Sequence, residues 1–240
     1  MLFLILPMKN YAAQFLYAPA SWFQLLDWQL VFGNTHPVEI DLGCGDGTFL
    51  VQRAGRYPER NFVGVDRLLG RARKVDRKAQ RLGLMNVRAL RIESSYAVGY
   101  LFPPGSVTVC HIYFPDPWPK KRHQKRRLLQ PEFVGALGRA VACGGEVRIA
   151  TDHEEYFEEI RALFAGSNGW AEYPLEEPLP EERTDFEQEF VKAEKTIHRI
   201  GFKNHPSKAE VAQAACPPCD RSPIVDSQAR DPLRSHGAVN

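Results

Sequence analysis

Val38-Glu-Ile-Asp41-Leu-Gly43-Cys-Gly45-Asp-Gly47 runs from an apolar segment into three glycines spaced two apart, and helical spacing follows over Phe49 to Tyr57. An apolar run that ends in glycines and gives way to a helix reads as a buried strand followed by a turn whose backbone can approach a ligand. Working outward, similar runs recur at Asn61 to Val65, Val87 to Ile92, Val107 to Phe114 and Glu146 to Ala150. Between them, Leu68 to Leu82, Phe133 to Val141 and Tyr156 to Phe164 show helical periodicity. Strand and helix in alternation predict an α/β fold, a doubly wound and mostly parallel sheet. After Gly169 comes an acidic, proline-containing stretch, then an apolar segment from Thr196 to Phe202 that predicts an antiparallel C-terminal strand.

Residues 36–203 are read as the main domain, after an N-terminal extension over 1–35 that is expected to be helical. The tail over 204–240 has five prolines, no aromatic residue and no periodicity, so it is expected to be disordered. The opening MLFLILP is short, lacks a preceding positive region and is followed by Lys9, which argues against a signal peptide. With no run of roughly 20 apolar residues elsewhere, no membrane span is expected and the location is expected to be cytoplasmic.

Cys44, Cys110 and Cys143 sit in apolar or glycine-rich contexts and read as reduced thiols. Cys216 and Cys219 supply two of the four ligands that structural zinc needs, leaving His205 and His236 to complete the set, so no metal is expected. A formal net charge of +2 conceals strong segregation. Residues 67 to 91 carry nine Lys or Arg against the single acid Asp76, residues 120 to 127 carry six, and the balancing acids lie mainly between Asp152 and Glu189. Segregation of this kind creates a local positive field suited to phosphate, although a solvated helix face explains the first run equally well.

The spacing of the glycine loop separates two kinds of cofactor. A dinucleotide fingerprint is G-x-G-x-x-G, whereas here the third glycine arrives one residue early and an acid precedes the first glycine by two. That pattern fits S-adenosylmethionine, whose ammonium and sulfonium groups favour a carboxylate such as Asp41. Asp66 ends the second apolar strand and can accept both ribose hydroxyls, while Glu93 ends the third and can accept from an adenine amino group. Singly, each acid reads as readily as a solvated loop residue or a helix cap; it is their place on consecutive strand ends that makes the set.

Tyr113-Phe-Pro-Asp116-Pro-Trp118-Pro-Lys120-Lys-Arg-His-Gln-Lys-Arg-Arg127 follows the fourth of these strands. Three prolines stiffen the loop around Asp116, Trp118 offers an aromatic face, and the cations that follow can neutralise phosphate. Together EIDLGCGDG, FVGVD, FPDPWPKKRHQKRR, ATD and TDFE occur in the order found in the bacterial tRNA (guanine-N7)-methyltransferase family, and the chain closely resembles that family over roughly residues 38 to 203. The resemblance implies a Rossmann-like class I methyltransferase that moves a methyl group from S-adenosylmethionine to guanosine 46 in the tRNA variable loop.

By resemblance, Asp41, Gly43, Gly45, Asp66, Glu93 and Asp116 contact the cofactor, and Asp116 is also the catalytic candidate. Lys120, Asp152, Thr184, Asp185, Phe186 and Glu187 would contact the substrate, and Arg122, His123, Gln124, Lys125, Arg126 and Arg127 the RNA backbone. Asp152 with Glu155, and Thr184 with Glu187, also match helix capping boxes. The family commonly has a lysine where this chain has Asp185. The expected partner is tRNA, with no obligate protein partner. An amino-group methyltransferase and an RNA-binding module without transfer activity are the competing readings.

Overall fold

Every residue of the strand Val38–Leu42 is buried, including its two acids, which puts this strand in the middle of the sheet. The structure is a computed structural model and describes residues 14–205. Those residues form strands β1 (Leu16–Tyr17), β2 (Val38–Leu42), β3 (Asn61–Val65), β4 (Val87–Leu90), β5 (Val107–Tyr113), β6 (Val141–Thr151), β7 (Trp170–Tyr173) and β8 (His198–Asn204). They lie in the order β1-β4-β3-β2-β5-β6-β8-β7. The strands from β1 to β6 in that order pair in parallel. The last strand, β8, pairs antiparallel with both β6 and β7.

The helices are α1 (Trp28–Phe32), α2 (Thr48–Arg56), α3 (Leu69–Leu82), α4 (Ser94–Tyr96, continuing as a π turn over Ala97–Leu101), α5 (Pro131–Ala140), α6 (Glu154–Ala165) and α7 (Asp185–Lys192). α2 and α3 bury Leu50, Ala54, Ala72, Val75 and Ala79 against Phe62, Val87 and Ala89 of β3 and β4. The larger core gathers Phe133, Val134 and Leu137 of α5 and Tyr156, Ile160 and Phe164 of α6 with the π turn and the central strands. Helices on both faces are what fully apolar parallel strands require, since neither face can be left to water. Two glycines set how closely the layers approach. A Cβ on Gly64 in β3 would lie 2.7 Å from Leu50 Cδ2 and 2.9 Å from Cys44 Sγ, and one on Gly47 would lie 2.6 Å from Val75 Cγ2.

Chain direction reverses its progress across the sheet between β2 and β5: β3 and β4 lie to one side of β2, β5 and β6 to the other. In open α/β sheets the crevice for ligands lies at such a reversal, beyond the carboxyl ends of the strands.

The sheet and its antiparallel end agree with the sequence expectation, and β7 adds a second antiparallel strand that was not foreseen. The described part of the N-terminal extension is mostly not helical: it contributes the edge strand β1 and the five-residue α1. Tertiary packing decides this, because Phe15 is buried against α3 and its N–H donates to Asp76 Oδ1 at 2.6 Å. Residue 204, expected to begin the tail, belongs to the sheet instead. Asn204 is buried, and its Nδ2 donates to the carbonyls of Gly138 at 3.1 Å and Val141 at 2.8 Å. The segments 1–13 and 206–240, with the opening apolar run and Cys216, Cys219 and His236, lie outside the described residues. Among the described residues no helix is long and apolar enough to cross a membrane.

Replacing Asn204 with alanine removes the donor from the buried Val141 carbonyl and the partly buried Gly138 carbonyl, so Asn204→Ala should lower the unfolding free energy by about 1–3 kcal/mol in urea titration.

Candidate active site at the carboxyl edge of the sheet

Asp41 and Asp66 stand at the carboxyl ends of adjacent parallel strands, where Leu42 pairs with Val65 and the N–H groups of Gly43 and Cys44 both reach the Val65 carbonyl. Asp66 is supported from below: Oδ1 accepts from the Leu68 N–H at 2.8 Å and Oδ2 lies 3.4 Å from Arg71 Nη1. Asp41 has no comparable support among the described residues, although only 4% of it is exposed. Burial, and then the charge of Asp66, push its carboxyl up to about 7 from an ordinary 3.8. A buried acid left without a donor costs stability.

Gly43 and Gly45 follow with φ of +77° and +56°, and a Cβ on either would meet nothing within 4 Å. They therefore leave open space beside the carboxylates. Glu93, just beyond the end of β4, acts as the N-cap of α4: Oε2 accepts from the Tyr96 N–H at 3.0 Å and from the Ser95 hydroxyl. Its other oxygen remains available at the same edge.

Asp116 is exposed in the loop that leaves β5, the strand beside β2. Phe114 and Trp118 flank it with φ of +51° and +41°, a region that bulky residues seldom occupy. Beyond it, Lys121–Arg126 forms a short 3-10 helix whose Lys121, Arg122, Lys125 and Arg126 are exposed, as is Lys120 before it. Arg126 lies 5.2 Å from the Trp118 ring centroid and His123 meets that ring edge-on at 5.8 Å. Gln124 donates to Glu155 at 3.2 Å.

Arg127 is a correction to the sequence reading. It is 2% exposed, its Nε donates to the Pro117 carbonyl at 2.7 Å, and it pairs with Glu159. The chain turns inward here to bury Leu129, so the last cation of the run points into the protein rather than at RNA. The neighbouring Leu128-Leu129 is the one sequence signal that could have shown it.

Helix α7 brings the remaining substrate candidates to the same edge. Thr184 caps it, accepting from the Glu187 N–H at 3.0 Å, which is the Thr184 half of the expected capping box. For Asp152 the capping expectation is not met: His153 caps α6 through Nδ1, and Asp152 pairs with Lys195 at 3.2 Å. Glu187 is 2% exposed and bound to Arg199 of β8. Phe186 is half exposed and stacks on Phe190, whose ring lies 5.3 Å from Phe114 at the root of the Asp116 loop. Asp185 faces the cofactor side instead. Its Oδ2 accepts from the Thr48 hydroxyl at 3.0 Å, and that hydroxyl accepts from Lys78 at 2.7 Å. Here the acid answers a lysine of α3 through a shared hydroxyl.

A buried polar network beneath the site was missed from sequence. Glu39 of β2 accepts from Arg53 Nε at 2.6 Å and Arg60 Nη1 at 2.6 Å and lies 2.9 Å from His111 Nε2. Burial alone would raise the Glu39 carboxyl, yet His111 and Arg53 hold it well below the usual carboxylate range. Burial drives His111 down to about 4 against the pull of Glu39, so it is neutral, with Tyr113 at 3.1 Å on its other nitrogen. Arg53 continues to Glu182 at 3.2 Å, tying the segment that precedes α7 to the cofactor-side helix α2.

The raised value at Asp41 makes a stability prediction. Since the folded state holds this proton more tightly than the unfolded chain, the stability that Asp41 contributes is full below about pH 3.8 and is lost as pH rises through about 7. Asp41→Asn should therefore be more stable than the parent at pH 8, by up to about 4 kcal/mol, with the gap closing by pH 4 in urea titrations of the ligand-free protein.

Known proteins share the sequence and the fold of this chain. A family model described as "Putative methyltransferase" matches residues 35–205. The tRNA (guanine-N(7)-)-methyltransferase of Geobacter metallireducens is 37% identical over 145 residues, covering 60% of this chain and 69% of that protein. Its counterpart in Vibrio cholerae is 34% identical over 182 residues and 74% of each chain. In Halorhodospira halophila the figures are 32% over 191 residues, 77% of this chain and 82% of the relative. Among solved structures, the 16S rRNA methyltransferase KamB shares the fold at a TM-score of 0.56 and 18% identity, over 76% of this chain and 95% of its own. The antibiotic-resistance methyltransferase Kmr does so at 0.51 and 20%, over 77% and 98%. With the matched model spanning strands β2 to β8 and relatives above 30% identity covered over most of their length, this chain belongs to the tRNA (guanine-N(7)-)-methyltransferase family.

Proposed function

We propose that this chain methylates N7 of a guanine in tRNA, the variable-loop guanosine, working in the cytoplasm with S-adenosylmethionine as donor. One observation carries the reading. A single rigid segment leaves β5 beside Asp41's strand, presents the Asp116 carboxylate, and continues directly into the exposed cations of Lys120–Arg126. A carboxylate next to the cofactor crevice and a phosphate-binding surface are thereby held at a fixed offset, as a base in a polynucleotide needs.

The residues present fit the cofactor. Asp41 is a buried acid awaiting a cation, Gly43 and Gly45 leave the space a ligand would fill, and Asp66 presents the second carboxylate at the adjacent strand end. We assign Asp41 to the cationic end of the cofactor, Asp66 to the ribose and the free oxygen of Glu93 to the adenine. When bound, S-adenosylmethionine supplies an electrophilic methyl group on a sulfonium sulfur.

N7 of guanine has an in-plane lone pair and no proton, so no side chain has to act as base before attack. The work of the protein is alignment, and holding reactants in line can supply roughly 7 to 11 kcal/mol of a barrier. Transfer leaves positive charge on the purine, and Asp116 is placed to stabilise it as it develops. Carboxylates also read guanine by accepting from its N1 and N2 hydrogens, a role open to Asp116 or Asp152. Because N7 lies in the deep groove of A-form RNA, the base must leave its stack, and Trp118 and Phe186 offer aromatic faces at that edge.

Incubation of the protein with unmodified tRNA and methyl-labelled S-adenosylmethionine, then digestion to nucleosides, should put the label in 7-methylguanosine. Label on an exocyclic amino group would overturn the N7 reading. Asp116→Ala should lower kcat by about 100- to 1000-fold; near-parental turnover in that variant would remove Asp116 from the chemistry.

A further inference from the structure

Pro115, Pro117 and Pro119 contribute no backbone N–H, so the loop that carries Asp116 cannot be tied down at those residues by donating to its neighbours. Its carbonyls are what remains. Flanked by left-handed φ values at Phe114 and Trp118, the loop also adopts a conformation that persists only where the surroundings over-determine it. What grips it is Arg127. The Nε of this residue donates to the Pro117 carbonyl at 2.7 Å, one residue beyond Asp116. Its Nη1 pairs with Glu159 of α6, and the guanidinium lies 4.5 Å from the centroid of the Tyr156 ring. The Tyr156 hydroxyl in turn accepts from the Leu129 N–H at 3.4 Å, which fixes the chain just after the arginine.

The Arg127 side chain is fully buried, while its partner Glu159 is 44% exposed. Burial holds the Tyr156 phenol up at about 12, against the Leu129 N–H and the charge of Arg127. A planar guanidinium can serve a carbonyl, a carboxylate and an aromatic face at once, whereas a lysine ammonium is a point charge on a flexible stem.

We propose that Arg127 is a positioning residue, which fixes Asp116 against the acceptor base by holding the Pro117 carbonyl, and that it makes no contact with RNA. The inference rests on the role given to Asp116 above. It separates Arg127 from the five residues before it, which share its run but not its environment.

Steady-state kinetics of Arg127→Lys test it. A misplacement of about 1 Å costs on the order of 100-fold, so kcat should fall by about that factor. KM for tRNA should stay within about twofold, and the slope of log KM against log salt should not change. Loss of a phosphate contact would do the opposite, raising KM at unchanged kcat and reducing the salt slope by about 1; that result would overturn the proposal, as would a parental kcat. Lys125→Ala serves as the reference for the phosphate pattern.

Should Arg127→Lys fail to bind S-adenosylmethionine, Glu159→Ala decides the matter. It leaves the carbonyl bond but frees one side of the guanidinium, and kcat should fall by about threefold to tenfold with KM for tRNA unmoved; an unchanged kcat would overturn the proposal. A readout without catalysis keeps this separate from the function itself. The indole N–H resonance of Trp118, assigned by its loss in Trp118→Phe, should be single in the parent and shifted or broadened in Arg127→Lys. An unmoved resonance would overturn the inference even if the parent made no 7-methylguanosine, and that latter result would count against the proposed function alone.

Discussion

Parallel strands in one sheet must all end on the same edge, and the rest of this molecule depends on that constraint. Asp41, Asp66, Glu93 and Asp116 are spread over 76 positions of sequence, yet each follows or ends a strand of the group β2, β3, β4 and β5. Once the strands pair in parallel, the four carboxylates have nowhere to go but one edge. The crossover reversal between β2 and β5 then opens a crevice among them, because the helices that follow these two strands leave on different sides. Burial first, and then the charge of neighbouring Asp66, raises the proton affinity of Asp41.

Holding such an edge rigid requires anchoring underneath it. Glu39 does this with Arg53, Arg60 and His111, joining α2, the turn before β3 and β5 to the centre of β2. Arg53 and Arg56 extend the network to Glu182, so the segment leading into α7 is attached to the helix that begins at the glycine loop. A second link, Asp185 to Thr48 to Lys78, joins the first residue of α7 to the starts of α2 and the middle of α3. In a relative with lysine at this position the same approach to Lys78 would be repulsive, so the acid is consistent with its surroundings here. Helix α7 and the segment before it are thus linked to α2 and α3 by hydrogen bonds and ion pairs.

Much of this was legible in the sequence, for a physical reason. Buried parallel strands are continuous apolar runs, and the glycines and acids at their ends stand out against them; hence β2, β3 and β5 and the acids they carry could be read directly. Other features depend on what a side chain meets far away in the chain. Nothing in a run of six cations marks Arg127 as the one that turns inward, and only the site of Leu129 in the core makes it so. The Asp152 pattern fits a capping box as well as the Thr184 pattern does, but the helix begins one residue later and His153 takes the cap. β1 and β7 are short edge strands with little periodicity to display, and they form because β4 and β8 offer them unpaired backbone.

Glu39 and Asp41 stand two residues apart in one strand and so face the same side of the sheet. Both are buried, and their environments differ in one respect. Glu39 is surrounded by two guanidinium groups and an imidazole, which keep it charged despite burial; Asp41 is met by no donor and by a second acid. The pair therefore separates two uses of one chemistry within three residues. Glu39 receives its cations from the chain, whereas among the described residues Asp41 receives none.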